Sequence, residues 1–461
     1  MMKMKKAAAL TMAAATAISS LTMGVSVVSA EEKTVTITIG NWQTPEDSAY
    51  ENREYMKEQF MKKYPNIIIE TDEYKYGPET FLAKAASGQL PDLFNTYFTE
   101  IDKIVNSGYA QDITEAFNNS TYVGAIDENI LDLVTKDGRI YGVPVSAYSM
   151  CMYCNVELFK EAGLVDEEGN VILPTTWDEV AQSATTIKEK TGKAGFSIPC
   201  TGNMGGWIFM NLAWGYGAEF ETQIDDKWTA TFDSEETVAA LQYLKDLKWE
   251  YDAMPDDCLI GLNDWMSSYG TNQTAMGICH LGIVNQIIAS TGLSKDNIAI
   301  TAIPEGPAGK SAVMGGDLYM LSTSTTPEQQ EAILKWLEFE TLSTNMNEEQ
   351  LAAYEETVKL DVENGYAVGP TGLSVLSNAE GEKQKLEIID QYTNVDMTLW
   401  NGYCEHKSED IKTEVPINAQ ELYAVLDSVI QEVLTNKDAD CQALLTEAAQ
   451  NFQHDYLDNA N

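Results

Sequence analysis

The chain has 461 residues, with 71 Asp and Glu against 29 Lys and Arg and a formal net charge of −42. That balance lacks the basic footprint that phosphate backbones and anionic lipid surfaces require, so nucleic acid and membrane surfaces are set aside as partners. At roughly 100–200 residues per domain the length predicts two to four domains. Lys3, Lys5 and Lys6 begin the chain, and a stretch rich in Ala, Ser and Thr runs from Ala7 to Val28 and ends in Val-Val-Ser-Ala. This reads as a secretory signal peptide over residues 1–30, cleaved after Ala30, because a spanning helix needs about 20 strongly apolar residues.

"KTVTITIGNW" alternates Val35, Ile37 and Ile39 with polar residues and predicts a strand ending at Gly40. Tyr55, Met56, Gln59, Phe60 and Tyr64 then recur at helical spacing up to Pro65, and "IIIETDEY" predicts a second strand. A strand–helix–strand unit pairs its strands in parallel by default. The alternation continues through a helix in "TFLAKAASGQ", a short strand in "LPDLFNTYF" and a helix in "EIDKIVNSGY". "RIYGVPVSAYSMCMYCNVELF" reads as extended throughout. Thr176 starts a helix with Asp178 and Glu179 at its positive end, and "KAGFSIPC" reads as a strand. Ser234 caps a further helix, "TAMGIC", "NIAITAIP" and "GGDLYMLSTST" are strands, and the C-terminal part is mainly helical, including "AQELYAVLDSVIQEVLTN". Interleaved strands and helices predict α/β architecture, and the absence of a low-complexity linker suits two domains that share chain crossings.

Several motifs in order carry a resemblance. They are "FMKKYPNIIIE", "LAKAASGQLPDLF", "DGRIYGVPVSAYSMCMYCNVELFKEAGL", "LPTTWDEV", "TNQTAMGI" and "AIPEGPAGKSAVMGGDLYMLS". Together they resemble the family-1 extracellular solute-binding proteins of ABC transporters, the group that includes maltose-binding protein and many oligosaccharide binders. The resemblance implies a two-lobed α/β fold of the periplasmic-binding-protein type (type II), with hinge crossings and a ligand cleft between the lobes. It places residues 31–145 and 318–372 in an N-terminal lobe and residues 146–317 and 373–461 in a C-terminal lobe. It also implies an extracytoplasmic monomer that carries a sugar to permease subunits, with no cofactor, no metal and no catalysis. Family members from Gram-positive bacteria usually carry a lipobox cysteine, and the chain has no cysteine before Cys151, so release in soluble form is expected.

The seven cysteines, at positions 151, 154, 200, 258, 279, 404 and 441, are scattered through apolar contexts and read mostly as buried free thiols, with a single disulfide left open. Cys151 and Cys154 form a C-x-x-C pair. The family places this stretch on a strand, where residues three apart point to opposite faces, so core packing is expected rather than a metal or redox site.

Sugar recognition combines aromatic faces with planar polar groups. Trp42 and Gln43 follow the first strand, and Tyr97 and Glu100 follow the strand at Leu90–Phe94. Tyr148 lies on the first crossing, and Trp207 is read in a loop before a helix, with Gly205 and Gly206 allowing close approach of a ligand. Gly315, Gly316 and Asp317 mark the second crossing, where backbone amides and a carboxylate could reach hydroxyls, and Trp400 is a candidate C-terminal platform. Trp214 and Phe209 read as core, and His280 as a core or rim residue. Two other functions remain open. A polyamine ligand would use cleft acids such as Glu100 and Asp317, and a secreted glycosidase would need two carboxylates flanking the bond. A phosphate ester would want an arginine, and Arg53 and Arg139 lie outside the expected contacts.

Overall fold

The computed structural model describes residues 33–47, 49–225 and 227–458, so the signal-peptide reading lies outside the described residues. Its central sheet contains β1 (Val35–Ile39), β2 (Ile67–Thr71), β3 (Leu93–Tyr97), β4 (Gly142–Asn155), β5 (Met276–His280), β6 (Ile298–Thr301), β7 (Ala312–Leu321) and β8 (Ile411–Thr413). β1 pairs in parallel with β2 from Val35↔Ile67 to Ile39↔Thr71, as the strand–helix–strand pattern predicts, and with β3 on its other side. β7 runs antiparallel to β3 and also antiparallel to β4. The far end of β4 is antiparallel to both β5 and β6.

β4 and β7 therefore serve two cores. Val143, Ala147 and Leu318–Leu321 join Ile37, Phe60, Phe94 and Trp336 in the first lobe. Met150, Met152 and Cys154 pack in the second lobe with Phe209, Leu422 and Ile430, while Cys151 and Tyr153 pack on the other face with Trp265, Trp400 and Tyr403. This is the two-residue period of a strand buried on both sides. Where the cores meet, Asp317 pairs with Ser146 but Leu318 pairs with Pro144, which leaves Val145 unmatched. Pro144 has no N–H to contribute to a ladder, so a bulge at this point costs little pairing, and bulges bend a strand and increase its twist.

Two local readings need correction. The extended run stops at Asn155, whose side chain accepts from the Leu158 N–H and caps a helix over Val156–Ala162, so "VELF" is helical. "KAGFSIPC" makes two backbone bonds to Ala253, one each to Met276 and Ile260, and one bridge at Ala194 but no regular strand, consistent with the ladder donor missing at Pro199. The C-terminal part is mainly helical, as read, and also contributes β8, which pairs in parallel with the start of β7.

All seven cysteines are free, and all but the half-buried Cys404 are buried. Cys151 and Cys154 lie in different clusters on opposite faces of β4, and burial pushes both thiols upward. In the native protein a thiol reagent should modify Cys404 first and leave the other six slow, with all seven reacting in denaturant. Only five reactive thiols after unfolding without reductant would show a disulfide.

Candidate functional site between the lobes

Tyr148 lies where β4 leaves the first core, opposite Gly315 on β7. A Cβ at Gly315 would come within 2.7–2.9 Å of the Tyr148 phenol, so the ring occupies the space that a side chain would take. Thus held, Tyr148 stacks on His280 at the end of β5 (4.8 Å, 28°) and meets Trp207 edge-on (5.9 Å, 86°). Trp207 and His280 are 6.4 Å apart between centroids. Tyr148 and His280 are half-buried and Trp207 is 9% exposed. Burial lowers the His280 pKa and so favours the neutral imidazole.

Trp207 sits in the first turns of the helix Met204–Tyr216 rather than in a loop before it. This helix carries no cap of its own. Asn203 adopts a left-handed conformation (φ 69°), and the helix start is held by Asp427 from the helix Ala419–Thr435. The Asp427 carboxylate accepts from the Asn203 N–H at 2.8 Å and the Gly206 N–H at 2.9 Å. A carboxylate at that end of a helix also opposes its positive dipole. The glycines beside Trp207 serve packing, not ligand approach. A Cβ on Gly206 would fall 2.6 Å from the Tyr423 Cα, and one on Gly205 would fall 2.8 Å from Asp427. The same correction holds for Gly316, whose missing Cβ makes room for the Ser146 carbonyl and the Phe98 ring.

Carboxylates come from three further elements. Glu100 is 1% exposed. It accepts from the Tyr76 and Thr99 hydroxyls and lies 3.7 Å from the Lys103 ammonium. Asp317 accepts from the Ser146 hydroxyl at 2.8 Å and sits opposite Tyr97 in the β3–β7 ladder. Glu414, just beyond β8, accepts from the Tyr423 hydroxyl at 2.8 Å. Burial pushes Glu414 up to about 7, repulsion from Glu100 and Asp317 adds to this, and the hydrogen bond from Tyr423 holds it back. Burial also raises Glu100 and Asp317. Tyr97, 37% exposed, meets Tyr76 edge-on at 5.9 Å. Lys103 crosses to Glu421 at 2.8 Å, and Gln420 reaches Thr99 at 3.4 Å. A cavity of about 550 Å3 opens beside them, between Thr99, Glu100 and Lys103 on one side and Trp228, Ile417 and Tyr456 on the other.

The structure thus brings Tyr97, Glu100, Tyr148, Trp207, Gly316 and Asp317 to the region where the lobes meet. Trp42 is elsewhere: it is 3% exposed, its N–H is donated to Glu54 at 2.8 Å, and its ring lies between Arg53 (4.2 Å) and Trp336 (6.0 Å). With both faces covered it cannot serve as an open platform. The Gln43 side-chain Oε1 accepts from Arg53 at 3.3 Å. Trp400 donates its N–H to the Ile298 carbonyl and borders a separate cavity of about 240 Å3 with Leu281, Gly282 and Tyr354. Arg53 is tied to Glu340 and the Asn41 carbonyl, and Arg139 lies near Asp112. Sequence reasoning missed Tyr76, Glu414 and Tyr423. Glu414 follows a three-residue strand with no periodicity to signal it, and the other two lie far along the chain from the partners that give them meaning. Among the described residues no group of His, Cys, Asp or Glu is arranged to hold a metal ion, and no helix is long and apolar enough to cross a membrane.

Two lobes sharing paired crossing strands, with an aromatic wall and carboxylates where they meet, define a clamp for a small solute. The bacterial extracellular solute-binding protein family matches residues 44–342, more than half of the chain, and the protein belongs to that family. The chain is 25% identical over 236 residues to a putative binding protein of Brucella abortus, covering 50% of this chain and 54% of that one. It is 26% identical over 195 residues to the arabinooligosaccharide-binding protein of Halalkalibacterium halodurans, covering 41% and 40%. The chain spans about half the length, or less, of these curated relatives. Among solved structures, maltose-bound MalE3 of T. maritima matches with a TM-score of 0.68 at 18% identity, over 91% of this chain and 99% of that one. The fold is therefore the two-lobed periplasmic-binding-protein type, and the proteins it resembles are binding proteins.

Glu221 lies behind the cleft. Its Oε2 accepts weakly from the Ile417 N–H (3.2 Å), its Oε1 has no partner, and burial pushes it up to about 8 from an ordinary value of 4.5. A carboxyl raised in the fold holds a proton that the unfolded chain releases. Its contribution is present below the unfolded pKa and is lost as pH rises through the folded one. Glu221 and Glu414 together predict that the melting temperature falls between pH 5 and pH 8, and Glu221→Gln should flatten that slope and raise stability at pH 8. Gly206→Ala should cost about 1–3 kcal/mol in urea unfolding, because its methyl group meets helix backbone that cannot move aside.

Proposed function

We propose that the protein captures a di- or oligosaccharide between its lobes and delivers it unaltered to the permease subunits of an ABC transporter, acting as a monomer exported by its N-terminal signal sequence. The observation that carries this reading is the wall formed by Tyr148, His280 and Trp207, set close to the acceptor carboxylates of Asp317 and Glu414. Rings cover the apolar faces of a pyranose or furanose, and carboxylates accept from its hydroxyls. Support comes from the relative named for arabinooligosaccharides and the structural neighbour holding maltose. We place the lobe boundary at the crossing itself, near Tyr148 on β4 and Gly316 on β7, and the contacts at Tyr97, Glu100, Tyr148, Trp207, His280, Asp317 and Glu414.

A second reading keeps the cleft and changes the guest to a polyamine. It is favoured by the acidic balance of the cleft, where Glu100, Asp317 and Glu414 lie near one another and Lys103 pairs with Glu100 and Glu421. A thermal-shift and Trp-fluorescence panel of arabino-, malto- and xylo-oligosaccharides with spermidine and putrescine separates the two. An oligosaccharide should raise the melting temperature by mass action, with the sugar recovered intact. Trp207→Ala and Tyr148→Phe should each leave the fold standing, the former weakening binding at least about tenfold (about 1.4 kcal/mol) and the latter less. A response to the amines alone would select the second reading, and consumption of the sugar would point to a hydrolase.

A further inference from the structure

We propose that Cys151 and Cys279 are a disulfide-forming pair, set directly opposite each other on β4 and β5 and closed, while the second lobe folds, by exchange with a small disulfide such as oxidised glutathione. The pairing does not depend on which guest the cleft holds.

The ladder decides which thiols meet. β4 and β5 run antiparallel in an unbroken register from Met150↔His280 to Cys154↔Met276, and Cys151 faces Cys279 within it. One rung further on, the Asn155 N–H donates to the Ala275 carbonyl at 2.8 Å. Hydrogen-bonded pairs alternate along an antiparallel ladder, so Cys151↔Cys279, two such pairs back, is of the same kind, with Cα atoms about 5.5 Å apart. A disulfide spans Cα separations of about 4.4–6.8 Å. Opposed residues also share a face. Both cysteines pack with Tyr153, Trp265 and Tyr269, whereas their neighbours Met152 and Ile278 lie in the other cluster. The Cys151 thiol already reaches across the gap, donating to the Cys279 carbonyl at 3.1 Å. Closing the bond asks for rotation of side chains and not for a shift of strands, because the register has already set the backbone separation.

Two other pairings compete. Cys154 lies on the opposite face of β4 from Cys151. Cys200 donates to the Cys258 carbonyl at 2.9 Å, but Cys258 turns its own thiol to the Pro255 carbonyl, also at 2.9 Å, and neither residue lies in a strand that would fix the two backbones.

The reaction is two successive exchanges. One cysteine thiolate attacks the small disulfide, expels one glutathione and leaves a mixed disulfide. The second thiolate then displaces the other glutathione. One S–S bond forms in the protein and one breaks in the oxidant, which takes two electrons, and the two protons lost by the cysteines end on the two glutathione thiols. Burial decides when this happens. Both cysteines are 0% exposed in the folded protein, and burial pushes the Cys279 thiol up to about 12, so the attacking thiolate is scarce once β5 has docked. The pair therefore closes as the strands come together, and the aromatic cluster then covers the product. The link lies one rung from Met150↔His280. It fastens the strand that ends in His280 to the strand that carries Tyr148, whose rings stack in the cleft wall.

The test maps the thiols. The full-length chain is reduced, unfolded and refolded in a mixture of reduced and oxidised glutathione. Its free thiols are then alkylated in denaturant, and the digest is analysed with and without reductant. Five of the seven cysteines should be alkylated, with one cross-linked peptide pair joining Cys151 to Cys279. Cys279→Ala should leave every remaining thiol free, and Cys200→Ala should keep the link. Seven free thiols in folded wild type, or a link that joins any other pair, overturns the proposal. Where circular dichroism shows that refolding has failed, native protein held in the same mixture until its thiol count is constant is mapped instead, and the same outcomes decide.

Discussion

Two strands must stay paired with each other while each leaves one hydrophobic core and enters another. β4 and β7 do this over Gly142–Ser149 and Met314–Met320, and every other feature of the cleft is arranged around that double crossing. A continuous ladder would make the junction stiff and flat. The junction instead contains Pro144, an unmatched Val145 and the Gly315–Gly316 pair, features that bend a ladder without breaking it. The space freed by the glycines is then filled from across the strand by the Tyr148 ring and from the adjacent turn by Phe98. The site's first aromatic wall is therefore a by-product of closing the crossing: the residue that fills the glycine gap is also the one that His280 and Trp207 pack against.

The helix Ala419–Thr435 supplies the rest. Within two turns it presents Glu421 to Lys103 of the other lobe, Tyr423 to Glu414 and Asp427 to the start of the Trp207 helix. One rigid element thus touches the opposing lobe, the crossing-strand extension and the ring platform. The Lys103–Glu421 bridge is part-buried, which makes it less sensitive to salt than an exposed pair and gives it orientation more than strength.

Sequence pattern located the elements where local chemistry decides them. The helix start at Thr176, the Ser234 cap and the alternation of β1 and β2 all act over a few residues, and all are present as expected. The opposed faces of Cys151 and Cys154 were legible for the same reason, because a two-residue period needs no tertiary information. What escaped was set at long range. The Trp207 helix starts where it does because a carboxylate 220 positions away caps it, at a sequence separation of 221 from Gly206, and nothing in "TGNMGGW" announces that. Trp42 reads like a cleft residue from its place after β1, yet the helix that follows delivers Arg53, Glu54 and Lys57 over it, and its indole N–H is satisfied at home. The glycines at 205, 206, 315 and 316 were visible as sites of close approach, but the sequence could not say that protein, and not ligand, does the approaching.

The proposed sugar guest raises the question of how an acidic cleft would hold an uncharged molecule. Three carboxyls raised by burial lie within electrostatic reach of one another, an arrangement that costs free energy when all are ionised and little when one keeps its proton. A polyhydroxyl guest is suited to that mixture, because each of its hydroxyls both donates and accepts and can pair with a carboxylate on one side and a carboxylic acid on the other. A cation would instead require all three to ionise, and would recover that cost only by direct pairing. The two guests therefore make opposite demands on one carboxyl group. A sugar is compatible with Glu414 in either protonation state, whereas an amine binds progressively better as Glu414 loses its proton, so the pH dependence of affinity itself reports which guest the cleft was built around.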